Sequence, residues 1–169
     1  KNIPMVLEAI EILRRNRLKI PEDAVYEGIA KAKEQTGLHG RWEIIQRNPF
    51  IILDTAHNQA GFREIIKQLS EIRFEKLHMV FGVVNDKEID HVLRLLPVDG
   101  NYYFTKARIP RAMDEKILGA KAAYYGLHGN IFDSIPEAID AAKLAANKND
   151  LILIGGSTYV VAEAMAEMQ

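Results

Sequence analysis

Short apolar runs, each about the length of a buried strand, recur through most of the chain with amphipathic stretches between them, and this alternation restricts the fold more than any other feature. The runs are 50–53, 77–81, 102–105, 129–132 and 151–154. Between them, Phe62, Ile65, Ile66 and Leu69 repeat at helical spacing, as do Ile89, Val92, Leu93 and Leu96 before Pro97 ends the pattern. Ser134-Ile135-Pro136-Glu137 has the spacing of a capping box, and Val161, Ala164, Met165 and Met168 give a last helix its stripe. Parallel neighbours need a crossover connection, so strand-helix alternation predicts an α/β fold: a Rossmann-like, mostly parallel sheet of about six strands with helices on both faces. A further strand at Arg41 to Gln46 is followed by the short turn Asn48-Pro49, which predicts an antiparallel strand at or near an edge.

The amino-terminal part follows a different pattern. Ile3, Val6, Leu7, Ile10 and Leu13 form one helical stripe. Pro21, Glu22 and Asp23 open a second helix carrying Val25, Ile29 and Ala32, which runs out near Thr36-Gly37. Two short helices bury too little to stand alone, so they are expected to pack on each other and on another part of the protein. The predicted division is a two-helix appendage at 1–38 and an α/β domain at 39–169.

With 22 Lys+Arg against 23 Asp+Glu the net charge is -1, without the basic excess of a dedicated nucleic-acid binder. No nucleic-acid partner is expected. The absence of cysteine excludes disulfides, thiolate nucleophiles and Cys-ligated metal, and the expected location is the cytoplasm. No run approaches the roughly 18 to 20 apolar residues of a membrane span, so no membrane partner is expected. The opening Lys1-Asn2-Ile3-Pro4 has no initiator Met, and the chain reads as a piece of something longer.

Ligands of open parallel sheets gather beyond the carboxyl ends of the strands. Four segments lie there. Asp54-Thr55-Ala56-His57-Asn58 follows the first run and opens a helix; its acid, imidazole and amide suit ribose hydroxyls, a carboxylate and a helix amino terminus. Simple structural roles, Asn58 as an N-cap and Asp54 closing the loop, account for them equally well. Gly155-Gly156-Ser157-Thr158 offers close backbone approach and N–H groups to an anion, or is an ordinary capped turn. Asn85-Asp86-Lys87 brings a lysine that could meet a substrate carboxylate, although such a lysine is more often simply solvated. The fourth segment runs from Thr105 and Lys106 to Arg111 and Ala112. Neither G-x-G-x-x-G nor a P-loop occurs, so nothing in the chain cradles a triphosphate. His39, His57, His78, His91 and His128 have no metal-ligand spacing, and structural roles are expected for His78 and His91.

Gly40-Arg41-Trp42-Glu43, Asp54-Thr55-Ala56-His57-Asn58 with Gly61, Asn85-Asp86-Lys87-Glu88, Arg111-Ala112 and Gly155-Gly156-Ser157-Thr158-Tyr159-Val160 resemble, in order and spacing, the carboxyl-terminal domain of folylpolyglutamate synthase/dihydrofolate synthase, of the Mur ligase superfamily. The chain departs from the family pattern at Thr55, Gln59 and Ala162, where Gly, Pro and Gly are common. The resemblance implies that residues 1–38 are the last helices of a central ATPase domain, and that the P-loop and magnesium ligands lie in a missing N-terminal and central part. It also implies a reaction in which the ATP γ-phosphoryl group passes to a carboxylate of folate or dihydropteroate, and the amine of L-glutamate attacks the acyl phosphate. ATP and Mg2+ are the implied cofactors. Arg41 and Asp54 would hold the nucleotide, while His57, Asn58, Ser157 and, less directly, Lys87 would bind glutamate, with His57 the implied catalytic residue. The rival expectation is a receiver-like or other α/β regulatory module, with Asp54 as a phosphoryl acceptor.

Overall fold

The structure, a computed structural model, describes residues 2–85 and 89–168, in two compact units that divide between His39 and Gly40. The first unit contains three helices rather than the two expected: α1 (Ile3–Arg15), α2 (Glu22–Ala30) and α3 (Ala32–Thr36). The predicted second helix breaks at Lys31, whose φ of -104° and ψ of 16° leave the helical region, three residues after Gly28 in the last turn of α2. Arg14 joins the end of α1 to the start of α2 through the Ile20 carbonyl at 3.0 Å and Glu22 at 3.0 Å. Only Val25 of the second stripe is buried, and α1 buries none of its residues, with Ile3 52% and Met5 67% exposed.

The second unit is built on a six-stranded sheet: β1 (Glu43–Arg47), β2 (Phe50–Asp54), β3 (Leu77–Phe81), β4 (Asn101–Phe104), β5 (Gly129–Ile131) and β6 (Leu151–Gly155). The order is β1-β2-β6-β3-β4-β5, with β1 antiparallel at one edge and every other pairing parallel. Helices α4 (Gln59–Ser70), α5 (Ile89–Leu93) and α6 (Glu115–Tyr124) contribute to one core with Ile52, Met79, Phe81, Phe104 and Leu153. Helices α7 (Ile135–Ala145) and α8 (Thr158–Glu167) contribute to the other with Ile51, Leu53, Val80, Ile152 and Ile154. Alternate residues of one strand therefore feed opposite faces, and strands covered on both faces read as unbroken apolar runs.

Two predicted elements are shorter than their patterns. The stripe ending at Leu96 keeps Leu96 buried, but α5 stops at Leu93, because the chain tightens into Leu95→Val92 and Leu96→Leu93 hydrogen bonds before Pro97. β5 has three exposed residues, as an edge strand has one side without a neighbour.

His78 is structural, as expected, and its partner comes from far along the chain. Buried on β3, its Nε2 lies 3.3 Å from Asp150 Oδ2, and its Nδ1 lies 2.9 Å from the Tyr103 hydroxyl. Asp150 also accepts from the backbone N–H groups of Asn147 (2.7 Å) and Lys76 (3.1 Å), joining the starts of β3 and β6. Burial pushes the Asp150 carboxyl up, but the Asn147 N–H and His78 outweigh it and hold the group below its ordinary value. A carboxyl depressed in this way stabilises the fold above the free-chain range, and the contribution fades as pH falls through the lower folded value. Asp150→Asn is therefore expected to cost about 2 kcal/mol at neutral pH, and its deficit in thermal midpoint should narrow below about pH 4. A deficit that stays constant across that range would contradict this assignment.

Candidate functional site

The segments singled out in the sequence converge at the carboxyl edge of the sheet. β2 and β6 are adjacent, with Asp54 in register with Gly155. α4 leaves β2 on one face and α8 leaves β6 on the other, so the two connections part between neighbouring strands, where doubly wound sheets bind ligands.

The loop after β2 is tightly tied. Asp54 is buried; its Oδ2 accepts from the Trp42 N–H at 2.8 Å and its Oδ1 from the Ala56 N–H at 2.8 Å. Asp54 thus draws the segment containing Arg41 against the end of β2, and Arg41 itself is exposed. Asn58 caps α4 by accepting from the Gly61 N–H at 2.9 Å. The structural roles left open for Asp54 and Asn58 are therefore both filled. A carboxylate oxygen has two lone pairs, so each Asp54 oxygen keeps acceptor capacity. His57 is exposed, with Nδ1 3.1 Å from the Thr55 carbonyl. In the neutral ring that contact assigns the proton to Nδ1 and leaves Nε2 as an acceptor.

The loop after β6 is as constrained. Ser157 is buried and its Oγ accepts from the Val160 N–H at 3.1 Å, capping α8, while its own O–H remains available to donate. Gly156 has φ +102°, and a Cβ there would stand 2.5 Å from the Gly82 carbonyl oxygen and 2.7 Å from the Phe81 ring. The glycine is a packing requirement of the edge, whatever ligand the loop meets.

Loops after β3 and β4 complete the edge, and sequence reading missed how they join. Val84 bridges Ala112, with Asn85 donating to Arg111 and Met113 to Val83. Lys106 lies 2.6 Å from buried Glu115 and 3.3 Å from Asp114, and the Glu115 bond raises the lysine above its ordinary value. Arg111 stacks over the Tyr159 ring at 5.6 Å, and Arg108 N donates to Glu163 at 2.6 Å, tying this loop to α8. Only the spacing of Lys106 and Glu115 was open to inspection, and nothing in it signals a buried acid. The Thr105 hydroxyl is fully buried with no hydrogen-bond partner among the described residues. Lys87, expected to face a substrate carboxylate, lies outside the described residues. Asp54, His57, Asn58, Ser157 and the Arg41 backbone are brought to two adjacent strand ends.

A doubly wound sheet with this pair of loops defines an α/β domain of the class whose ligands gather at the carboxyl ends of the strands. Residues 40–158 match the family described as Mur ligase, glutamate ligase domain, and the chain belongs to that family. It is 32% identical over 165 residues to the dihydrofolate synthase/folylpolyglutamate synthase of Escherichia coli K12, covering 96% of this chain and 37% of the relative. Among solved structures, Escherichia coli FolC in complex with DHPP and ADP superposes with a TM-score of 0.81 at 29% identity, over 95% of this chain and 37% of that one. A bifunctional folylpolyglutamate synthase/dihydrofolate synthase with Mn, AMPPNP and L-glutamate bound gives 0.80 at 25% identity, over 95% and 38%. The chain thus spans less than two-fifths of the length of each. Family membership sets aside the receiver-like alternative, and the two backbone bonds to Asp54 leave it poorly placed as a phosphoryl acceptor.

Gly156→Ala is expected to destabilise the fold by about 3 kcal/mol, since the substitution adds both a clash and an unfavourable φ. Denaturant unfolding checks this, and a loss below about 1 kcal/mol would mean that the edge relaxes easily.

Proposed function

We propose that this chain is the glutamate-binding part of a cytoplasmic ATP-dependent ligase that adds L-glutamate to a carboxylate of folate or dihydropteroate. The observation that carries the reading is the pairing of the Asp54 to Asn58 turn with Gly155-Gly156-Ser157 at adjacent strand ends, within residues that match a glutamate ligase family. In the proposed reaction the ATP γ-phosphoryl group moves to the substrate carboxylate, releasing ADP. The glutamate amine then attacks the acyl carbon, forming the amide, releasing phosphate and losing a proton. Water must be kept out, because the acyl phosphate hydrolyses if exposed, so the domain works by closing over a partner domain.

In this reading Arg41 is the exposed cation that meets the nucleotide, and the free acceptor positions of Asp54 face its ribose. The exposed Nε2 of His57 accepts from the glutamate ammonium or receives its proton, and the Ser157 O–H donates to a glutamate carboxylate. Asn58 positions this set by fixing the start of α4, and Lys87 is a second proposed contact for glutamate. These contacts act through orientation, which can contribute several kcal/mol to lowering a barrier. No cluster of three or more His, Cys, Asp or Glu able to hold a metal ion occurs among the described residues. No step is assigned to magnesium in this chain. No described helix is long and apolar enough to cross a membrane. Residues 1–38 are proposed as the end of the central ATPase domain, a reading supported by the uncovered apolar positions of α1.

In the full-length enzyme, His57→Ala should raise the glutamate KM about tenfold or more while leaving the ATP KM nearly unchanged. Unchanged glutamate kinetics would remove His57 from the site. The chain by itself, lacking a P-loop, should bind without catalysing: ATP-dependent addition of glutamate by the purified chain would refute the division of labour.

A further inference from the structure

The opposite end of the sheet carries a feature that glutamate ligation does not use. Where β2, β6 and β3 begin, a cavity of about 430 Å³ opens among Arg47, Arg73, Lys148, Phe50, Phe74 and Glu75. Five strand residues separate this end from the Asp54 and Ser157 edge, about 15 Å along the strands, so no ligand here can touch the reacting groups.

Its electrostatics are unbalanced. Arg47, Arg73 and Lys148 are exposed and make no ion pair or side-chain hydrogen bond among the described residues. The one acid on the wall, Glu75, already accepts at Oε1 from the Asn149 amide at 2.7 Å, and its N–H donates to the Asn149 carbonyl at 3.0 Å. Three cations against one carboxylate line this cavity, in a chain whose net charge is -1. Like charges gathered around one cavity repel one another, and an anion between them relieves the repulsion. Phe50 and Phe74, both half-buried, also line the cavity and give it apolar surface. Guanidinium groups match carboxylate and phosphate oxygens two at a time, and an aromatic wall favours a flat apolar group.

We propose that this cleft is a second, noncatalytic ligand site for a small aromatic anion, whose carboxylate or phosphate groups meet Arg47, Arg73 and Lys148 while its ring rests on Phe50 and Phe74. The site does not depend on the ligase reading, because none of its residues takes part in it.

Two probes distinguish the anion types: benzene-1,3,5-tricarboxylate and phenyl phosphate, titrated into the 169-residue chain while backbone amide signals are followed by NMR. Saturable shifts are expected at residues 47, 48, 50, 73–75 and 148–149. Saturation by the tricarboxylate alone assigns the site to carboxylates, by phenyl phosphate alone to phosphates, and by both to charge and ring together. Arg73→Gln and Arg47→Gln should each weaken binding about tenfold; both side chains are exposed, so the fold should be kept, as the thermal midpoint will report. Lys67→Gln makes the same charge change on an exposed position of α4 and should leave affinity unchanged. The proposal is overturned if neither probe saturates by about 10 mM, if the shifts fall at the Asp54 and Ser157 edge instead, or if Lys67→Gln weakens binding as much as Arg73→Gln.

Discussion

Where the central strands end, their backbones come too close for side chains to stand between them. A Cβ on Gly155 would lie 2.5 Å from the Asp54 carbonyl oxygen, and one on Gly82 would lie 2.6 Å from that of Thr105. The same edge admits no Cβ at Gly156, as its distance to Gly82 shows. Loops that begin from such a packed edge have little freedom to drift, because interiors at this density do not yield locally without repacking. The candidate ligand residues inherit their positions from that crowding, and Asp54 and Ser157 then hold the two helix-opening turns by hydrogen bonds of their own.

This changes how the polar residues at the edge are understood. Asp54, Asn58 and Ser157 are each engaged in holding backbone, and what they offer a ligand is the unused remainder of their bonding capacity: lone pairs on Asp54 and a hydroxyl proton on Ser157. His57 differs, since its single contact to the Thr55 carbonyl leaves one ring nitrogen uncommitted. In the proposed reading, positioning and binding fall to the same side chains, which makes them hard to separate by substitution. A loss of activity in an Asp54 variant would mix a displaced loop with a lost contact, whereas His57 can be altered with less disturbance.

Strand and helix identity was legible because burial on both faces writes itself as unbroken apolar runs such as the Phe-Ile-Ile-Leu that opens β2. Strand order was not, since nothing in residues 151–155 says that β6 lies between β2 and β3. The break at Lys31 escaped because the apolar stripe Val25, Ile29, Ala32 runs across it, and α5 ended early because Pro97 acts on the residues before it. At the site, the residues of the Asp54 turn could be picked out by their place after a strand. Their partners could not: Trp42 reaches Asp54 across 12 positions, and Asp150 reaches His78 across 72. The cationic cleft was equally silent, because Arg47, Arg73 and Lys148 meet only once the sheet is assembled.

The central position of β6 also governs how the sheet can come together during synthesis. Until residue 155 leaves the ribosome, only two half-sheets exist, β1 with β2 and β3 with β4 and β5, each with a bare inner edge. Chains emerge at about 5 to 20 residues per second, so the roughly 70 residues between the end of β3 and β6 leave those edges unpaired for several seconds. Unpaired strand edges invite association between nascent chains, which makes that interval, rather than the finished fold, the vulnerable stage in this protein's life.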